Sequence, residues 1–403
     1  MLRLAHFLSV LACTLSLRSV HAQQLVTPYT DRVDRFVAHI ADSLSIVGLS
    51  VGIVQHGEVV LANGYGSISQ ANTHPVDAHT AFLSCSITKL FTATAVMQLV
   101  EQGRLRISDR VVDVLPEFKL HDKRYGAITV EHLLTHSSGL PWDHKLPNCP
   151  QDSTALEVLV HSMAKRVKLK FGPGSRFDGG TYSNAGYNLL GRIVEQVSGL
   201  SYERYVHAHV LRKVPMPDAA FDTASYRAGA WARGMEVDGD TRAIQRFNLY
   251  GVEDPKQPII NGQPLSLRER RPHIAYEQSP CGGLWTSAAD LSNWLAHVQR
   301  IAQDSLEGPS APVLQRNTLL EMWRTQRSIM GKRTAIGLGW WNYDDPELGR
   351  YVFHVGREPG YSSIMLLWPE RELGVVVVCN GMYADDAVWN VLGPGIGRIV
   401  MGL

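Results

Sequence analysis

Apolar runs with the length and pattern of strands stand near both ends of this chain, with a long helical and looped stretch between them. Two lie near the start, at 46–54 and 59–62, and four near the end, at 336–341, 351–356, 362–368 and 374–380. Strands from the two termini are therefore expected to meet in one antiparallel sheet. An amphipathic helix with Val33, Phe36, Val37, Ile40 and Leu44 on one face precedes the first pair. A second helix closes the chain, interrupted by Gly393-Pro394-Gly395. The stretch from about 110 to 300 reads as helices and loops punctuated by Pro and Gly. The expected class is α+β: an antiparallel sheet flanked by terminal helices, with a mainly helical region inserted. No repeat or low-complexity linker divides the 403 residues, which predicts one domain over 23–403.

Chemistry enters at Ser86-Ile87-Thr88-Lys89. A serine hydroxyl is a poor nucleophile at neutral pH and needs a neighbour to take its proton. Residues three apart on a helix share a face, so Lys89 reaches Ser86 if a helix begins here. Leu90, Ala93, Met97 and Val100 recur at helical spacing, and Gly103 supplies a stop. Ser86 is expected in the first turn, where free N–H groups and the helix dipole favour negative charge on a reacting oxygen.

Two further segments carry groups that suit the same reaction. Tyr182-Ser183-Asn184 follows the turn-like Gly172-Pro173-Gly174-Ser175 and precedes a helical pattern through Leu189, Ile193 and Val197. In an extended segment Tyr182 and Asn184 face one cavity. A phenol beside a lysine relays a proton, and an amide donates to a substrate carbonyl. His354-Val355-Gly356 ends the run at 351–356. Gly356 there is expected to let a substrate backbone approach closely, and His354 to hold a carboxylate or a proton.

On these residues the chain resembles the serine β-lactamase and penicillin-binding-protein-like superfamily, in its class C β-lactamase, carboxypeptidase and esterase branch. Ser86-x-x-Lys89 is similar to that family's first motif, Tyr182-x-Asn184 to its second and His354-x-Gly356 to its third. The third is Lys-Thr-Gly in class C β-lactamases and often His-x-Gly in the carboxypeptidases and esterases. The stretch 128–141, Gly282-Gly283-Leu284 with Asp290-Leu291, and Gly337-Leu338-Gly339-Trp340-Trp341 also resemble the branch, so the likeness runs from about 33 to 378. It implies attack by Ser86 on an ester, amide or lactam carbonyl, with Lys89 and Tyr182 sharing the proton traffic and an acyl-enzyme between. It also implies an oxyanion hole from the backbone N–H groups of Ser86 and Arg357, each worth about 3–4 kcal/mol. The Arg357 side chain is not needed for that role; a substrate carboxylate is its alternative partner to solvent. Two features depart from the family: the 175–181 stretch is a few residues longer than usual, and Val355 stands where a threonine is common. Both favour an esterase or D-amino-acid peptidase over a β-lactamase. The remaining readings are an acyltransferase of a biosynthetic pathway and a catalytically silent binding relative.

Gly48-x-Ser50-x-Gly52 matches the nucleophile elbow of α/β-hydrolases, but that motif needs a strand, a sharp turn and a helix. Here the run continues to His56-Gly57-Glu58 and a second run, which is a hairpin, so Ser50 is structural. The formal charge of +1 gives no reason to expect nucleic acid or an anionic membrane as partner; the expected partner is a small-molecule or peptide acyl substrate. Arg268-Glu269-Arg270-Arg271 is mixed in sign and reads as a solvated loop. Residues 1–22 resemble a secretory signal: Arg3, an apolar run, then Val20-His21-Ala22 ahead of Gln23. Secretion or periplasmic location after cleavage near Ala22 is expected; the rival is a lipoprotein signal at Cys13. Its removal leaves no apolar segment of membrane-spanning length. Cys85 and Cys379 read as buried thiols, and Cys149 and Cys281 as loop cysteines that an oxidising compartment lets pair. No cysteine spacing fits zinc, and His132 and His136 have no third ligand, so no metal or other cofactor is expected.

Overall fold

The computed structural model describes residues 28–145, 150, 152, 154–178, 180–223, 230–237, 259–260, 263–264, 266–270, 276–306 and 311–403. The leader with Cys13, and Cys149, lie outside the described residues.

Eight strands form one antiparallel sheet: β1 (Gly48–Gln55), β2 (Glu58–Gly66), β3 (Arg327–Ser328), β4 (Thr334–Ile336), β5 (Trp341–Asp345), β6 (Gly349–Glu358), β7 (Tyr361–Trp368) and β8 (Leu373–Cys379), in the order β2-β1-β8-β7-β6-β5-β4-β3. The two ends of the chain meet where β1 pairs with β8, Leu49 opposite Cys379 and Gln55 opposite Leu373. The expected sheet built from both termini is thus present. β1 and β2 are joined by His56 and Gly57, both at positive φ (51° and 74°), a two-residue turn whose twist suits a hairpin. Ser50 sits mid-strand, buried, with its Oγ donating to the Asp77 carbonyl at 2.8 Å.

Period-two alternation sends the sheet's side chains into two cores. Leu49, Val51, Ile53, Val375 and Val377 pack on one face with Ile364, Leu366 and Trp368. That face is covered by helix α1 (Thr30–Ser43), through Val33, Val37 and Ile40, and by the last helix, through Ile396. Val54, Val352, Met365, Leu367, Val376 and Val378 face the other way, into the inserted helical region. Burial on both sides explains why 375–378 is an unbroken valine run rather than an alternating one.

Within the insertion, α2 (Thr88–Glu101) is buried on every side from Thr88 to Leu99. A helix so enclosed has no polar face to turn to water, and its polar side chains find partners instead. Thr92 donates to the Pro280 carbonyl at 2.6 Å, and Gln98 to the carbonyls of His209 and Val313 at 2.8 and 2.9 Å. Helix α3 (Asn184–Ser198) packs beside it, α4 (Ala288–Gln303) lies against β1, β2 and β8 and meets α2 through Trp294 on Phe91, and α5 (Gly393–Met401) closes the chain.

Three expectations are corrected and one is kept. The run at 336–341 is not one strand: Gly339, at φ +89°, turns the chain between β4 and β5, with the Gly337 N–H on the Trp340 carbonyl at 2.7 Å. The interruption expected at Gly393-Pro394-Gly395 is present: α-helical backbone begins at Asp385, turns π-helical over Val388–Leu392 and returns to α at Gly393, so the proline's missing N–H falls beside a stretch where the α ladder is already broken. Leu267–Arg270 is a strand paired with Gly234–Val237 rather than a loop, although its charged side chains are solvated as expected; Arg271 lies outside the described residues. Cys281 is not in a loop: it lies in the short helix Ser279–Gly282, buried and with its thiol free. Cys85 and Cys379 are buried free thiols, as read from the sequence.

Candidate active site

Ser86 stands one step earlier than the sequence suggests. It occupies a 3₁₀ turn, Cys85–Ile87, and the α-helix proper starts at Thr88. Cys85 takes φ +54°, unusual for a residue with a side chain, and such strain persists only where the surroundings impose it. The surroundings do so here. Ser84 Oγ donates to the Leu284 carbonyl at 2.7 Å, Thr88 Oγ1 donates to the Cys85 carbonyl at 2.7 Å, and the Leu284 N–H donates to Thr88 Oγ1 at 3.1 Å. From the sheet, Ser363 Oγ donates to the Ser84 carbonyl at 2.8 Å.

This clamp gives Gly356 a different reason from the one the sequence suggested. A Cβ there would lie 2.5 Å from the Ser84 carbonyl oxygen and 2.9 Å from Cys85 Cβ. The glycine makes room for the serine's own turn against β6 rather than for substrate backbone. Strand β5 pairs with β6 only as far as Trp341 opposite Phe353, so 354–358 has a strand neighbour on the β7 side alone. The Ser86 turn packs on the sheet face that carries Gly356 of β6 and the side chain of its partner Ser363.

Lys89 Nζ lies 3.0 Å from Ser86 Oγ and donates to the Cys281 carbonyl at 2.5 Å. The side chain is wholly buried, and desolvation lowers its pKa from 10.5, offset in part by the negative charge that Cys281 and Glu358 can carry nearby. The Tyr182 ring lies 5.0 Å from the ammonium and the Tyr187 ring 5.5 Å. Burial raises the Tyr182 phenol, while its hydrogen bond with Ser86 pulls the other way. The ring is held among His136 (4.2 Å between centroids), Trp142 (4.9 Å) and Trp341 (6.5 Å). The break between β4 and β5 is what delivers Trp341 to this stack.

Asn184 is not extended beside Tyr182; it opens α3, capped by Ser183 Oγ, which accepts from the Gly186 N–H at 3.0 Å. Its N–H donates to the Trp142 carbonyl at 2.6 Å, and its buried Oδ1 has no protein partner among the described residues. His354 is fully buried on β6, with Nδ1–H donating to the Val355 carbonyl at 2.7 Å and Nε2 unpartnered among the described residues. Desolvation, then Lys89, push its pKa down to about 3, so it is a neutral imidazole at physiological pH. Arg357 turns its side chain to the opposite face, where Nε pairs with Asp385 at 3.0 Å. Only its backbone remains on the site side.

The neutral His354 has a measurable signature. Unfolded, the imidazole takes a proton below pH 6.5; folded, it does so only near 3, so the unfolded state binds the extra proton between those values. Its contribution is complete above 6.5 and is lost as pH falls toward 3. Relative to His354→Gln, wild type is expected to lose up to about 1.4 kcal/mol per pH unit across that window. Urea unfolding of both proteins at pH 7 and pH 4.5 measures the difference, and a gap that does not narrow on acidification contradicts a neutral His354.

Three groups in the site escaped the sequence reading. The Cys281 carbonyl holds the amine of Lys89. His136 was weighed as a metal ligand beside His132, but the helix Val130–Leu134 ends before it and its φ of +53° turns it into the site. There Nδ1 accepts from the Ser183 N–H at 3.1 Å, while His132 caps its own helix, its Nδ1 accepting from the Thr129 N–H at 3.2 Å. The third is Glu358. It follows His354 and Gly356 at the same period-two spacing, and that spacing was the available signal.

A buried lysine against a serine at the mouth of a helix, under an antiparallel sheet built from both termini, defines a serine acyl-transfer fold of the penicillin-recognising type. The chain belongs to the Beta-lactamase family, whose model matches residues 33–393, a family of serine hydrolases related to the penicillin-binding proteins. It is 26% identical over 362 residues to "Protein flp" of Staphylococcus aureus (strain MW2), covering 89% of this chain and 64% of that protein. It is 26% identical over 340 residues to "Penicillin-binding protein 4*" of Bacillus subtilis (strain 168), covering 80% and 66%. The chain thus spans slightly less than two thirds of the length of these curated relatives. The octameric penicillin-binding protein homologue from Pyrococcus abyssi superposes with a TM-score of 0.71 at 25% identity, covering 92% of this chain and 77% of that one. The β-lactamase/D-alanine carboxypeptidase from Pseudomonas syringae superposes at 0.70 and 18% identity, covering 93% and 99%. This last likeness concerns the fold. Among the described residues, no helix is long and apolar enough to cross a membrane.

Proposed function

We propose that the protein is a secreted acyl hydrolase that works through a Ser86 acyl-enzyme on esters or amides, in the manner of an esterase or D-amino-acid peptidase. The observation that carries the reading is the 3.0 Å approach of a wholly buried Lys89 amine to Ser86 Oγ. In its neutral form the amine takes the Ser86 proton as Oγ attacks the carbonyl carbon. The backbone N–H groups of Ser86 and Arg357 hold the oxyanion. The proton then passes from Lys89, by way of the Tyr182 phenol, to the departing alcohol or amine, leaving the acyl group on Ser86. Water releases it by the same steps in reverse order. His354 and Asn184 orient the substrate, and Gly356 keeps the Ser86 turn seated against β6. The 1–22 leader supports export of the mature chain.

The electrostatics of the third motif favour this over a β-lactamase. A β-lactam carries a carboxylate, and a lysine at the head of that motif supplies a cation for it. Here His354 is neutral and Arg357 is paired elsewhere. The expected result is Ser86-dependent hydrolysis of para-nitrophenyl acetate, with benzylpenicillin neither consumed nor retained as a mass adduct. Rapid loss of benzylpenicillin would instead establish the β-lactamase reading, and transfer of the acetyl group to an added alcohol in preference to water the acyltransferase one.

A further inference from the structure

We infer that Glu358 is a specificity residue for a cationic group on the substrate, an ammonium or quaternary amine close to the scissile bond. The inference rests on the hydrolase reading above and names a substrate class for it. Along β6 the side chains of Val352, His354, Gly356 and Glu358 alternate with those of Phe353, Val355 and Arg357. Val352 packs into the helical core, Val355 against the opposite one, and Arg357 pairs with Asp385 on that opposite face. Glu358 therefore points to the side that carries Ser86. Its Oε1 lies 3.5 Å from the position a Cβ on Gly282 would take, next to the Cys281 carbonyl that holds Lys89. It also directly follows Arg357, whose backbone N–H is the second oxyanion donor of the proposed mechanism.

A half-buried carboxylate at the wall of a reaction cleft costs free energy unless a positive group meets it. Lys89, Lys145, Asp143 and Arg270 are the charged groups that act on it. Lys145 is already 3.4 Å from Asp143, and Arg270 2.8 Å from Glu236. Lys89 is bonded to Ser86 and Cys281 and must be neutral to act as base. Among the described residues Glu358 makes no ion pair of its own, and desolvation raises its pKa. A substrate cation supplies the missing charge.

Two pairs of isosteric esters test this, each differing only in a quaternary nitrogen or a quaternary carbon. The para-nitrophenyl esters of trimethylammonioacetate and tert-butylacetate place the charge in the acyl part. Acetylcholine and its carbon isostere place it in the leaving alcohol. The ratio of kcat/KM, cationic over neutral, is read within each protein, so intrinsic reactivity cancels between variants. In at least one pair, Glu358→Gln is expected to lower that ratio at least tenfold, while Glu358→Asp keeps most of it. The pair that responds identifies the side of the bond that binds there. Equal ratios in wild type and Glu358→Gln for both pairs overturn the inference alone, provided turnover is lost in Ser86→Ala. Absence of Ser86-dependent turnover of the neutral esters overturns the proposed function and this inference with it.

Discussion

Ser86→Ala is expected to lower kcat on every ester substrate by about 10⁴-fold or more while leaving the fold intact. The size follows from the role proposed for the hydroxyl: if its oxygen forms the bond, its removal leaves only the uncatalysed attack of water assisted by backbone donors and binding. The fold should survive because the turn is held by its neighbours rather than by Ser86. Ser84, Thr88 and Ser363 make the clamping hydrogen bonds, and Ser86 Oγ meets only the catalytic groups. The check is a progress curve at high enzyme concentration together with thermal melting. Activity within tenfold of wild type would place the nucleophile elsewhere.

Lys89→Met is expected to cost about 10²–10⁴ in kcat/KM, the usual worth of a positioned proton acceptor. Methionine matches much of the stem and fills the same space, so stability should hold or rise, because an amine that is costly to bury has been removed. The pH profile separates this from a packing defect. Attack requires the neutral amine, so wild-type kcat/KM should climb as pH rises through the Lys89 pKa, which desolvation brings below 10.5. Lys89→Met should lose that limb along with the rate. A Lys89→Met enzyme with a reduced rate but an unchanged ascending limb would show that another group is the base.

The proximity of Ser86 and Lys89 was legible because it depends only on local spacing: three residues on a helical turn meet whatever the rest of the chain does. The meeting of β1 with β8 was legible from the order of apolar runs, since period-two patterns identify strands without identifying partners. Tyr182 is different. Ninety-six residues separate it from Ser86 by numbering, and only the resemblance, not any periodicity, brought the two together. Gly356 was correctly singled out for close approach, but the approaching group is the Ser84 carbonyl, a contact between distant segments that no local pattern reports. The break at Gly337–Gly339 looked like a continuous strand because glycine is silent about direction until its φ is known. Glu358 lay on the same alternation as His354 and Gly356, yet the expected strand ended at 356 and the pattern was not followed two residues further.

The most direct test of the account is the intact mass of the purified protein after incubation with a fluorophosphonate, which phosphonylates an activated serine and loses fluoride. Wild type should gain one adduct, mapped by peptide sequencing to Ser86, and Ser86→Ala should gain none. An adduct formed equally in Ser86→Ala, or mapped to another residue in wild type, would contradict the assignment of Ser86 as the nucleophile.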